Sequence, residues 1–242
     1  MLRIKDPEAS LKYYSFLGMK QINKMDFPDN KFCLYFLAYD GPESQSDGKH
    51  WTARQGVLEL THNYGTEKDD KFKVNNGNSD PGKGFGHVCV SVDNIQAACK
   101  RIEDAGYKFH KKLTDGRMRS IAFALDPDGY AFHAENDLGT DYGRYWVEII
   151  GQKSVEEAEK LHETDIKKYR FNHSMIRVKD AKASLKFYQE ALGMELYRTS
   201  ENPDSKFNLY FLGYPEGSPE NQAYREGIVE LVCFVLLEND TY

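Results

Sequence analysis

Met1-Leu2-Arg3-Ile4-Lys5-Asp6, Ala9-Ser10-Leu11-Lys12-Tyr13-Tyr14 and Lys31-Phe32-Cys33-Leu34-Tyr35-Phe36-Leu37 form a stretch that occurs twice. It returns as Met175-Ile176-Arg177-Val178-Lys179-Asp180, Ala183-Ser184-Leu185-Lys186-Phe187-Tyr188 and Lys206-Phe207-Asn208-Leu209-Tyr210-Phe211-Leu212. Each copy runs through a variable loop to a short apolar strand holding one carboxylate, Leu58-Glu59-Leu60 and Val229-Glu230-Leu231. A repeat of this length dictates the fold, because each copy must build the same supersecondary unit.

Working outward, the first copy reads as strand, helix and three strands. Leu2–Ile4 is a strand; Asp6-Pro7 opens a helix as N-cap and first residue, and Gly18 stops it. Residues 19–25, 32–38 and 56–62 are apolar and aromatic enough for strands. The first helix is one residue shorter than its repeat before Leu-Gly-Met. Residues 86–92 alternate as a strand, with His87, Cys89 and Ser91 on one side. Residues 95–105 have helical spacing, and 107–111, 120–126 and 146–150 read as strands. Residues 1–150 thus hold two strand-helix-three-strand modules. Residues 151–170 are highly charged and read as a solvated helical connector. A third module fills 171–242. Asp126-Pro127-Asp128-Gly129-Tyr130 signals a turn, yet residues 131–145 intervene before the next strand and look inserted into a hairpin.

The chain is 242 residues long with a net charge of −6, its acids and bases interspersed. No basic stripe marks a nucleic-acid partner. No apolar run is long enough to span a bilayer, and no secretory signal opens the chain. Four scattered cysteines in apolar stretches (Cys33, Cys89, Cys99 and Cys233) read as buried thiols of a cytoplasmic protein.

His87 and Glu148 are polar groups within otherwise apolar strands, Glu59 and Glu230 are single carboxylates between leucine or valine neighbours, and His173 shares a strand face with Arg177; each needs a partner if buried. A single strand histidine is ordinarily structural, and a strand glutamate ordinarily faces solvent. Two histidines and two glutamates at matching places in paired modules suit a borderline divalent ion, Zn²⁺ or Ni²⁺. Near them lie Lys83, Lys111, Lys112, Arg117, Arg119 and Arg177. As a set these read as solvated surface; individually Arg177, Lys83 and Lys111 could reach an anionic substrate.

These motifs, together with Asp26-Phe27-Pro28, Leu58-Glu59-Leu60-Thr61-His62-Asn63-Tyr64-Gly65-Thr66-Glu67, Asn76-Gly77-Asn78-Ser79-Asp80 and Gly84-Phe85-Gly86-His87, resemble glyoxalase I (lactoylglutathione lyase). The layout is similar to the fungal tandem form of that family, with three of its four modules present. The resemblance implies an α+β, vicinal oxygen chelate fold in which paired βαβββ modules curl around one metal. It implies isomerisation of the hemithioacetal of methylglyoxal and glutathione to S-D-lactoylglutathione. Carried over, module two pairs with module three, and His87, Glu148, His173 and Glu230 become the metal ligands, with zinc the expected ion and nickel the alternative. Glu148 and Glu230 become the catalytic carboxylates, and Arg177, Lys83, Lys111 and Met118 the substrate contacts. Arg3, Glu59 and Asn63 remain as half of a second site whose other ligands the chain lacks, which suggests a truncated form. The intact family form is a monomer, and an unpaired first module favours self-association. The rival readings are an inactive or binding-only truncated protein, and another metalloenzyme of the same fold such as a dioxygenase.

Overall fold

Asp6, Asn94 and Asp180 begin the three principal helices in the same way. Their side chains accept backbone N–H groups of the first turn, from Glu8 and Ala9, from Ala97, and from Ala183. In this computed structural model, residues 1–116, 118–128, 143–158, 160–215 and 220–234 are described. Module one runs β1 (Leu2–Ile4), α1 (Pro7–Phe16), β2 (Lys20–Phe27), β3 (Phe32–Ala38) and β4 (Leu58–Asn63). Module two runs β5 (Phe85–Val92), α2 (Ile95–Asp104), β6 (Phe109–Lys111), β7 (Ile121–Leu125) and β8 (Trp146–Gly151). After α3 (Val155–Ala158), module three runs β9 (Arg170–Val178), α4 (Ala181–Lys186), β10 (Glu195–Asn202), β11 (Phe207–Gly213) and β12 (Ile228–Phe234).

The repeat holds at the level of single dihedrals. Lys31 and Lys206, at the same turn of the two copies, both adopt a left-handed backbone, with φ of 57° and 56°. The extra residue of the second copy is absorbed in the helix, where α4 continues as a π-helical turn over Phe187–Ala191. Such a turn accommodates one inserted residue without breaking the helix.

Two sheets result. Module one makes its own sheet in the order β1-β4-β3-β2. Modules two and three share an eight-stranded sheet, β10-β11-β12-β9-β5-β8-β7-β6, joined where β5 and β9 run antiparallel. The core lies beneath modules one and two. Tyr13, Tyr14, Leu17, Leu58 and Leu60 from module one pack with Val90, Ile95, Ile102, Val147 and Ile149 from module two, all at most 2% exposed. The aromatic ring of Tyr13 meets Tyr107 edge-on at 4.8 Å, and Arg101 lies over Phe16 while donating to its carbonyl.

One expectation is corrected, and a second falls mostly outside the described residues. Among the described residues the connector 151–170 keeps most of its charged side chains exposed, but it is no continuous helix: it holds the four-residue α3 and a single 3-10 turn at Ile166–Lys168. Its second half docks on module two: Asp93 accepts from Thr164 and from the Asp165 N–H, Asn94 donates to the Leu161 carbonyl, and Tyr169 is 1% exposed. The buried carboxylate of Asp93, which must find donors, explains the docking. The intervening stretch 131–145, expected as an insertion, falls mostly outside the described residues, but its last member, Tyr145, is tied into the fold. Tyr145 is buried, extends the β7–β8 ladder by pairing with Asp126, and exchanges hydrogen bonds with the backbone of Arg3 in β1.

Candidate metal centre

His87 sits near the start of β5, Glu148 in the middle of β8, His173 in β9 and Glu230 in β12. Because β5 pairs with β8 and β9 on either side, and β9 pairs in turn with β12, four adjacent strands supply one donor each. All four side chains are buried, with exposures of 3–7%. One donor atom from each lies within 4.8 Å of every other. His87 Nε2 is 3.3 Å from Glu148 Oε2 and 3.4 Å from Glu230 Oε2; His173 Nε2 is 3.1 and 3.0 Å from the same two atoms.

The two imidazole nitrogens also face each other at 3.3 Å. Neighbouring groups fix the role of one of them. Asn172 donates its amide to the Gln222 and Arg225 carbonyls, at 2.8 and 2.9 Å. Its Oδ1 is therefore turned to His173 Nδ1, 2.8 Å away, and accepts the proton there. In the neutral ring that leaves the Nε2 lone pair aimed at the centre, the arrangement usual for a metal-bound imidazole. Two imidazole nitrogens and two carboxylate oxygens converging in a dry site are a donor set suited to a divalent transition ion. The residues present thus fit a metal.

Electrostatics without an ion point the same way. Burial works to lower the proton affinity of both imidazoles, but the facing groups outweigh it: Glu148 and Glu230 beside His87, Cys89 and those carboxylates beside His173. Both rings hold a proton more readily than usual. Burial pushes both carboxyls up, yet the imidazoles hold Glu148 and Glu230 below the ordinary carboxylate range. The four groups need positive charge at their centre, supplied either by ring protons or by a cation. Edge-on contacts of His87 with Phe123 and of His173 with Phe211 close the sides.

The other residues expected from the sequence are distributed differently. Arg177, four residues along β9 from His173, is half-buried and donates to the Phe85 carbonyl at 2.9 Å, to Asn78 Oδ1 at 2.9 Å and to the Gly77 carbonyl at 3.4 Å. It thereby holds the loop that precedes β5. Lys83 is exposed on that loop. Lys111 donates to the Lys112, Met118 and Ile121 carbonyls and ties down the 112–120 loop, on which Met118 is 59% exposed. Lys112 pairs with Glu103 and Arg119 is exposed, whereas Arg117 lies outside the described residues. Arg3, Glu59 and Asn63 stand apart on module one, where Arg3 donates to Asn63 Oδ1 at 2.9 Å and Glu59 accepts from Thr61 at 3.4 Å. Asn172 was missed by the sequence reading; its only signal was its place beside His173.

The chain belongs to the Glyoxalase/Bleomycin resistance protein/Dioxygenase superfamily, whose family model matches residues 1–134 and 170–224. Within that class it is a homologue of glyoxalase I. It is 44% identical over 232 residues to the lactoylglutathione lyase of Schizosaccharomyces pombe, covering 96% of this chain and 69% of that protein. It is 42% identical over 243 residues to glyoxalase I of Saccharomyces cerevisiae, covering 99% of this chain and 69% of that protein. The crystal structure of glyoxalase I from Zea mays superimposes with a TM-score of 0.67 at 29% identity, over 98% of this chain and 66% of that one.

Proposed function

We infer that the protein is a metal-dependent lactoylglutathione lyase, which isomerises the hemithioacetal of methylglyoxal and glutathione to S-D-lactoylglutathione. The observation that carries this reading is the convergence of His87, Glu148, His173 and Glu230 from modules two and three within 4.8 Å. The fourth protein donor speaks for this chemistry over a dioxygenase site, which holds its iron with two histidines and one carboxylate. A bound divalent ion, zinc or alternatively nickel, supplies Lewis acidity at the adjacent substrate oxygens.

The chain's own groups carry the proton. Glu148 removes it from C1 of the hemithioacetal, and a carboxylate returns it to C2. Glu230, across the site, serves as the base for the opposite epimer. A ligating carboxylate becomes a base once it is displaced from the ion, where burial raises its proton affinity. Arg177 is placed to meet a glutathione carboxylate, since three contacts do not exhaust a guanidinium with five N–H donors. Lys83, at the exposed tip of the same loop, adds a second cation. Lys111 and Met118 are further substrate contacts in this reading, carried by the resemblance. Buried free thiols at Cys33, Cys89 and Cys99 suit a reducing compartment, and the cytoplasm is the location we propose. Among the described residues no helix is long and apolar enough to cross a membrane.

The test is turnover of methylglyoxal with glutathione, followed by thioester absorbance, with zinc or nickel supplied. The expected result is activity that Glu148→Gln and His173→Ala each reduce by at least about a hundredfold, the scale on which general-base groups act. A folded, metal-loaded protein without turnover overturns the reading. We also propose that the open face of module one, where Phe27, Phe32 and Leu34 are only half-buried, promotes self-association. Sedimentation velocity across a concentration series decides that point.

A further inference from the structure

The turns that lead into β4 and β12 meet back to back. Arg54-Gln55-Gly56 enters the strand of Glu59, and Arg225-Glu226-Gly227 enters the strand of Glu230. A Cβ built on Gly56 would lie 3.0 Å from Glu226 Cβ and 3.3 Å from the Phe171 carbonyl, and one built on Gly227 would lie 2.8 Å from the Gly56 nitrogen. Both glycines have positive φ, so the approach depends on their lacking side chains. At this crossing the neutral Gln55 is matched by an acid, Glu226, which is 3% exposed.

Glu226 organises the module-one loop that follows β3. Its Oε2 accepts from Ser44 Oγ at 3.1 Å and from the Gln45 N–H at 3.0 Å, while its own N–H donates to Gln45 Oε1 at 2.7 Å. Ser44 passes the order on by accepting from the Ser46 N–H, and Ser46 accepts from the Gln55 N–H. The charged groups around it are Arg170 of β9, Arg54 of the loop, and their partners Glu43 and Asp40, with Tyr39 beneath. The Glu226 side chain thus bonds to one module while its backbone begins the strand that carries Glu230 in another.

We propose that Glu226 is a positioning residue whose proton decides how firmly the 40–56 loop of module one holds the base of β12. Burial raises its carboxyl, against the pull of Arg170 and the bonds from Gln45 and Ser44, to about 7. A carboxyl raised on folding stabilises the contact below its unfolded value and ceases to do so as pH climbs to the folded one. The contact is therefore tightest near pH 4.5 and loosens progressively up to about pH 7. Glu226 lies outside the metal centre, so this behaviour does not depend on the proposed reaction.

Hydrogen exchange of the metal-loaded protein tests it. Protection of the Gln45, Gln55 and Gly227 amides, corrected for intrinsic exchange, should fall roughly tenfold between pH 5.5 and 8, within the limit of one decade per pH unit for a single proton. Glu226→Gln, which keeps the hydrogen-bonding shape without the charge, should flatten that profile and hold the protection of the acidic form. A flat profile in the wild-type protein overturns the proposal whether or not the variant folds. So does an unaltered slope in Glu226→Gln. Failure of the lyase assay alone leaves these amides unaffected and bears only on the reaction.

Discussion

Asn172 shows how much of a candidate metal site lies in residues that offer it no ligand. Its amide is committed to two carbonyls, so its oxygen must face His173 and fix which ring nitrogen is free. Asn172→Ala removes that constraint and leaves the Gln222 and Arg225 carbonyls short of a donor. Metal affinity should weaken about ten- to a hundredfold, the usual effect of losing an outer-shell partner. Asn172→Asp keeps the acceptor facing His173 but turns an oxygen to the two carbonyls, so it should cost folding stability while binding metal more tightly than Asn172→Ala. Competition titration with a chromophoric chelator reads both, and equal losses in the two variants would mean that the acceptor is not what matters. The four candidate ligands were legible through the family resemblance and their matching places in paired modules, and their donor atoms lie within 4.8 Å of one another. Asn172 and Glu226 were not, because their roles come from partners roughly 50 and 180 residues away, which no local pattern encodes.

At the scale of elements, strands and helices were readable to within a residue or two from apolar runs and caps, as in β3 and α1. Two features escaped for physical reasons. Charge density suggested a solvated connector, but the buried acid Asp93 draws residues 161–169 onto the sheet. Polarity suggested an insertion ending at Tyr145 and gave no sign that one aromatic hydroxyl with backbone partners in β1 anchors that end. The loop before β5 offers a prediction of its own. Gly77 has φ of 74°, and an added Cβ would lie 2.7–2.9 Å from the backbone and Cβ of Phe85. That obstruction cannot rotate away. Gly77→Ala should cost about 1–3 kcal/mol in chemical denaturation. It should also displace the carbonyls to which Arg177 donates, raising KM for the glutathione adduct more than it lowers kcat. Gly116→Ala, also at positive φ but with open space around it, should cost less.

For the whole molecule, the candidate metal centre lies across the only strand pairing that joins modules two and three into one sheet among the described residues, β5 with β9. Two ligands come from each side of that seam. Without a cation, two carboxylates face each other in a dry pocket, with only the two imidazoles to compensate them. A cation held by this arrangement would find no such cluster in the unfolded chain. Linkage then adds about 2.7 kcal/mol at a free metal concentration a hundredfold above Kd. For a chain of this size each kcal/mol moves Tm by about 2–4 °C, so metal addition should raise Tm by about 5–10 °C and chelation should reverse it. The stabilisation belongs to the seam. Hydrogen exchange should therefore slow on metal binding in β5, β8, β9 and β12, while β2 and β3 of module one, which offer no ligand, change little. His173→Ala should abolish both effects. A uniform slowing across both sheets, or a shift in Tm that survives His173→Ala, would place the stabilising ion elsewhere on the protein.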